Sequence, residues 1–244
     1  MLAITVGATR AAAHVAPSVD DNNRYLKLTP AADRVRISYT VLFGEVPGAQ
    51  IRRTIDANHD GTISDDEASA FGTKIAGEVA PSLELTVDGT LQAVTWATVA
   101  VGMGSPQVAA GAFSVDLVAW ACLPVARGTH RVVLRDRFRI PRPGETEAKV
   151  EDSPGVTIHH ARVGTLNDPT HDYRFAGPGG PLADDGLDLE FTASDKAPLT
   201  ADGTCARAAA SKRPPTRMIV TLAAGIAFVL AVIAVIVKRR RRRA

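Results

Sequence analysis

Between Tyr25 and Phe191 the chain repeatedly alternates apolar and polar residues, and no other feature narrows its fold as much as that period of two. Successive residues of a strand point to opposite faces, so alternation marks strands with one buried face. Such stretches cover Tyr25–Leu28, Val35–Leu42, Leu83–Val87, Leu91–Val101, Phe113–Ala121, His130–Arg135, Val156–Val163 and Leu187–Phe191. Turn chemistry separates them, as at Thr29-Pro30, Asp88-Gly89, Arg127-Gly128 and Ser153-Pro154-Gly155. Many short strands at this spacing predict a mainly β fold, specifically a β-sandwich over residues 22–200. A chain of 244 residues with 45% apolar content has ample material for its core. Only residues 47–80 break the pattern. There Ile51 and Ile55 lie four apart, as do Phe71, Ile75 and Val79, which predicts a helical insertion.

Inside that insertion runs Asp56-Ala57-Asn58-His59-Asp60-Gly61-Thr62-Ile63-Ser64-Asp65-Asp66-Glu67, which meets every diagnostic position of an EF-hand loop. Ca²⁺ is a hard cation that takes six to eight oxygens, and a 12-residue loop supplies them from alternate positions. The expected ligands are the side chains of Asp56, Asn58 and Asp60, the Thr62 carbonyl, Ser64 directly or through water, and Glu67 bidentately. Gly61 permits the sharp turn. Five acidic residues and no Lys or Arg occupy the loop, so their carboxylates repel one another until a cation binds. A lone loop lacks the usual partner loop, and no Met-rich groove accompanies it, so the expectation is a structural Ca²⁺ site rather than a sensor.

The charge is unevenly placed. The net +2 includes six positive charges at Lys238–Arg243, which leaves −4 on everything before them. A mildly acidic body argues against nucleic-acid binding. Immediately before the basic tail (238–244), Met218–Val237 forms a run of 20 residues without a charge. At about 1.5 Å per residue such a helix crosses the roughly 30 Å hydrocarbon layer, which predicts one C-terminal transmembrane helix. Basic residues gather on the cytoplasmic side, so the expected topology is single-pass in the cell membrane, with the tail cytoplasmic and the body outside. Residues 201–217 read as a stalk. Residues 1–21 read as an export-signal-like or disordered segment: Met1–Ala8 is apolar, and Ala11-Ala12-Ala13 offers small residues for cleavage before His14.

Asn23-Arg24-Tyr25-Leu26-Lys27-Leu28, then Asp33-Arg34-Val35-Arg36-Ile37-Ser38-Tyr39, the 56–67 loop, and Leu83-Glu84-Leu85-Thr86-Val87-Asp88-Gly89 carry a further signal. This succession resembles the extracytoplasmic N-terminal domain of bacterial nickel/cobalt permeases over residues 22–90. The resemblance implies a hairpin leading into an EF-hand-like insertion, and an accessory role in divalent-metal uptake beside a membrane permease. A single anchor here replaces the permease helices. The C-terminal order of Gly203-Thr204-Cys205, spacer, apolar run and arginines also resembles the tripartite sorting signals of bacterial surface proteins, which implies the alternative of a displayed, adhesion-type protein rigidified by calcium.

His159-His160, His171 and His14 suggest a nickel or copper ligand set. Adjacent residues of a strand face opposite ways, however, so His159 and His160 are expected to be ordinary surface histidines. Cys122 and Cys205 are the only cysteines. They either pair, as an oxidising compartment allows, or leave Cys122 buried and free. No nucleophile elbow, His-Glu-x-x-His, phosphate loop or Cys-x-x-Cys is present, and the expectation is a protein that is not an enzyme.

Overall fold

A computed structural model describes residues 20–164, 166–167, 169–170, 172–176, 181–200 and 205. The N-terminal segment with His14, the stalk apart from Cys205, the apolar run, the basic tail and His171 lie outside the described residues. The chain divides after Thr200, and the strands and helices named below belong to the part before that division. Among the described residues no helix is long and apolar enough to cross a membrane.

The fold is mainly β, and the described residues contain two six-stranded sheets. In the first, β1 (Asn22–Pro30) and β2 (Arg34–Phe43) form a hairpin, continued by β6 (Phe113–Cys122) and β5 (Trp96–Gly102). On its other side β1 pairs in parallel with β8 (Pro143–Val150), which is bordered by the two-residue β11 (Arg174–Phe175). The second sheet runs β10 (Leu166–Asn167), β9 (Val156–Val163), β12 (Leu187–Ala193), β7 (Gly128–Asp136), β3 (Leu83–Val87) and β4 (Thr90–Gln92), all antiparallel. Between them in sequence lie α1 (Glu45–Ile55), α2 (Asp65–Val79) and the short α3 (Pro181–Asp184).

The alternation becomes burial. Val35, Ile37, Tyr39, Val41 and Phe43 of β2, and Val115, Leu117 and Ala119 of β6, turn inward. So do Leu85 and Val87 of β3, Val132 and Leu134 of β7, and Leu189 and Phe191 of β12. All belong to one apolar cluster fed by both sheets, an arrangement consistent with the β-sandwich expected from the sequence. The two sheets also share a buried polar contact. The Arg24 guanidinium on β1 lies 2.8 Å from the Asp136 carboxylate on β7, and the Tyr39 hydroxyl on β2 donates to the same carboxylate at 2.8 Å. Arg24 also donates to the Phe138 carbonyl and the Thr146 hydroxyl, so its charge is enclosed by oxygens.

Two local expectations change. The run read as Leu91–Val101 is two strands: β4 ends at Gln92 in the second sheet, and β5 starts at Trp96 in the first, so the chain changes sheets at residues 93–95. No strand is expected over Pro143–Val150, yet β8 lies between β1 and β11; its buried positions are Thr146, Ala148 and Val150, too small and polar to announce a strand. His159 and His160 are surface histidines, as expected; both are exposed because the β9–β12 register slips beside Glu190, leaving His159 as the extra residue. His159 then reaches the Thr192 hydroxyl at 2.7 Å, while His160 stands 4.0 Å from Asp188.

Candidate functional site

The helical insertion folds as helix, loop, helix, with α1 ending at Ile55 and α2 starting at Asp65. Ser64 caps α2: its hydroxyl accepts the Glu67 N–H, and the Glu67 side chain accepts the Ser64 N–H, a reciprocal capping box. Asp65, Asp66 and Glu67 fill the first turn, where the helix dipole favours negative charge. Apolar anchors hold the flanks, since Ile55, Ile63, Ile75 and Val79 are buried.

Of the six expected ligand residues, Asp56, Asn58, Asp60, Thr62 and Ser64 lie between the helices and Glu67 lies in the first turn of α2. The Asp56 carboxylate accepts the backbone N–H of Asp60 at 3.2 Å and of Gly61 at 3.0 Å, curling the chain back on itself. Asn58 Oδ1 accepts the Asp60 N–H at 2.9 Å, and Asn58 Nδ2 donates to Asp60 Oδ2 at 3.0 Å. Asp60 Oδ1 accepts the Thr62 N–H at 2.8 Å. Gly61 sits at φ +84° and His59 at φ +60°, so the reversal uses two left-handed residues.

Glu67 closes the loop. Its Oε1 accepts the N–H groups of Ala57 at 2.8 Å and Asn58 at 3.3 Å, and its Oε2 accepts the Ser64 N–H at 2.9 Å and hydroxyl at 2.8 Å. The Ser64 backbone N–H, then the Ser64 hydroxyl, contribute most to holding this carboxyl at a pKa of about 2, with the Ala57 and Asn58 N–H groups adding to it. The charge therefore ties the first residues of the loop to the start of α2. Among the described residues no group of three or more His, Cys, Asp or Glu side chains is gathered so as to hold a metal ion. The donor set itself consists of carboxylate, amide, carbonyl and hydroxyl oxygens, which suits a hard cation and not a thiolate- or imidazole-seeking one. Bidentate coordination by Glu67 requires it to exchange some of these four hydrogen bonds for the ion.

Sequence reasoning overlooks what holds the loop from behind. Ile63 N–H donates to the Pro106 carbonyl at 2.8 Å, Val108 N–H donates to the Gly61 carbonyl at 3.1 Å, and Thr62 pairs with Gln107 as an isolated antiparallel bridge. The segment that shares these bonds, residues 103–112, links β5 to β6. It is gathered around Arg52 of α1, which is fully buried. One signal for it is legible: Gly48, Ile51, Arg52 and Ile55 share the inner face of α1 by helical spacing, and a charge on such a face needs partners.

Both cysteines are disulfide-bonded, so the alternative of a free, buried Cys122 is set aside. Compared with known proteins, the chain matches no family model and no curated relative.

Proposed function

We propose that this chain is a membrane-anchored, extracytoplasmic Ca²⁺-binding module that serves a divalent-metal permease as an accessory domain. The observation that carries the calcium reading is the loop between α1 and α2, which is curled around Asp56, Asn58 and Asp60 and closed by Glu67. Asp56, Asn58, Asp60, the Thr62 carbonyl, Ser64 and Glu67 would hold the ion. When bound, Ca²⁺ would neutralise carboxylates that otherwise repel, and so rigidify the EF-hand-like insertion on its β-sandwich. The disulfide-bonded cysteines support an oxidising location outside the cytoplasm, as does the orientation read from the basic tail. The permease partnership rests on the resemblance of residues 22–90.

Calorimetry and thermal melts of the full-length chain with Ca²⁺, Mg²⁺ and Ni²⁺, beside Asp56→Ala and Glu67→Ala, test this reading. At about 100-fold excess over the dissociation constant, a bound ion adds roughly 2.7 kcal/mol to stability. Wild-type protein should show a calcium-dependent melting shift that both variants lose. A melt indifferent to millimolar Ca²⁺, or a shift retained in both variants, refutes the proposal.

A further inference from the structure

Arg52 has five N–H donors, and all five are used on main-chain carbonyls of one segment. Nε donates to Gly111 at 2.9 Å; Nη1 donates to Ser105 at 2.8 Å and Gln107 at 3.2 Å; Nη2 donates to Met103 and to Ala112 at 3.2 Å. The guanidinium also lies 5.3 Å from the Phe113 ring centroid. A lysine, with three donors on a flexible stem, cannot reproduce this fork. The same helix grips the segment twice more. Glu45 accepts the Ala112 N–H at 3.3 Å, and Gly48 approaches Gly111 so closely that a Cβ there would meet its carbonyl oxygen at 2.7 Å. The path carrying carbonyls 103, 105, 107, 111 and 112 is thus wound around a buried cation supplied by α1.

That wound segment presents Pro106 and Val108 to the backbone of Gly61 and Ile63, at the centre of the candidate ion loop. A lone ion loop needs some partner for this stretch, and here a connection of the β fold provides it. We propose that residues 103–112, held by Arg52, take the structural place of a second calcium loop, and that an ion at 56–67 acts through them on the β5–β6 hairpin. The inference rests on the calcium reading above. Asp60 and Thr62 carry expected ligands, and Gly61 and Ile63 beside them carry the hydrogen bonds to the segment. An ion that orders the first pair therefore orders the second. Coupling of this kind is reciprocal, so loosening the segment must weaken the ion. Arg52 is accordingly a positioning residue: it lends shape to the backbone that the loop leans on.

Hydrogen exchange of the full-length chain with and without Ca²⁺, together with calcium titration of Arg52→Lys, tests the coupling. Calcium is expected to slow exchange in 56–67 and also in 103–112, with Val108 N–H among the protected amides. Arg52→Lys is expected to raise the calcium dissociation constant roughly 5- to 100-fold, within the usual span of coupling between linked sites. Protection confined to 56–67, or an Arg52→Lys variant that binds with wild-type affinity, overturns the coupling while leaving the calcium reading intact. Absence of calcium heat and of protection in wild type overturns the calcium reading itself, and the coupling with it. If Arg52→Lys does not fold, the exchange pattern of the wild type decides alone.

Discussion

The Arg24–Asp136–Tyr39 contact gives a sharp test of what holds the two sheets together. The side chains of Arg24 and Asp136 are only 4% and 0% exposed and stand 2.8 Å apart. Replacing Asp136 with Ala leaves a buried guanidinium with three neutral acceptors, the Phe138 carbonyl and the Thr146 and Tyr39 hydroxyls, and deprives both the Tyr39 hydroxyl and the Phe138 N–H of their acceptor. Breaking a buried pair from one side typically costs about 3–5 kcal/mol, and Asp136→Ala should fall in that range. Arg24→Met should cost a similar amount at pH 7, but the two losses differ in their pH dependence. Burial already pushes the Asp136 carboxyl above its ordinary value, and Arg24 is the main group opposing that shift. Without Arg24 the native state takes up a proton at Asp136 more readily than the unfolded chain does. Stability of Arg24→Met relative to wild type should therefore rise as pH falls below 7, whereas the Asp136→Ala deficit does not shrink, because the guanidinium left behind does not titrate there and wild-type Asp136, already raised, is itself favoured by added protons. The double variant Arg24→Met/Asp136→Ala buries no charge and should cost far less than the two singles together, giving a coupling of about 3 kcal/mol. Urea denaturation of the four proteins at pH 5 and 7 measures all of this. An Asp136→Ala cost below about 1 kcal/mol, or simple additivity in the double variant, refutes the reasoning.

Two glycine substitutions in helices should have opposite signs. Gly77→Ala in α2 meets nothing within 4 Å and should stabilise by about 0.5–1 kcal/mol, whereas Gly48→Ala in α1 drives a Cβ against the Gly111 carbonyl and should destabilise; thermal melts distinguish them. The Asp188 carboxyl is held below its ordinary value chiefly by hydrogen bonds from Arg131, so its contribution is present above about pH 4 and is lost as pH falls further. Arg131→Met should remove that part of the acid sensitivity, and urea midpoints between pH 2 and 5 that stay parallel in the two proteins would contradict it.

Strands whose inner faces are built from large or branched residues, such as β2 and β6, could be read from the sequence because every second position strongly prefers burial. Where the inner face is Thr146 and Ala148, the same geometry leaves no hydrophobic trace, and β8 escapes notice although it borders β1. The break between β4 and β5 is hidden for the opposite reason, since apolar residues continue across residues 93–95 while the chain changes sheets. His159 and His160 obey alternation only until the register slips. The ion loop is legible because its ligands must stand at fixed intervals along one short stretch. Its support is not, because the bonds from Gly61 and Ile63 to Pro106 and Val108 are made by backbone, which any residue type supplies, and the Arg52 cage likewise consists of carbonyls.

The parallel pairing of β1 with β8 also sets an order in time. A chain emerging from its N-terminus can close the β1–β2 hairpin early, yet Arg24 must wait for Phe138 and Thr146, which lie 114 and 122 residues further on. Until they arrive, that guanidinium keeps its water, and one side of β1 has no neighbour. The first of the described strands to be made is thus among the last to be sealed, and a chain interrupted before β8 exposes the β1–β2 hairpin to whatever strand it meets first.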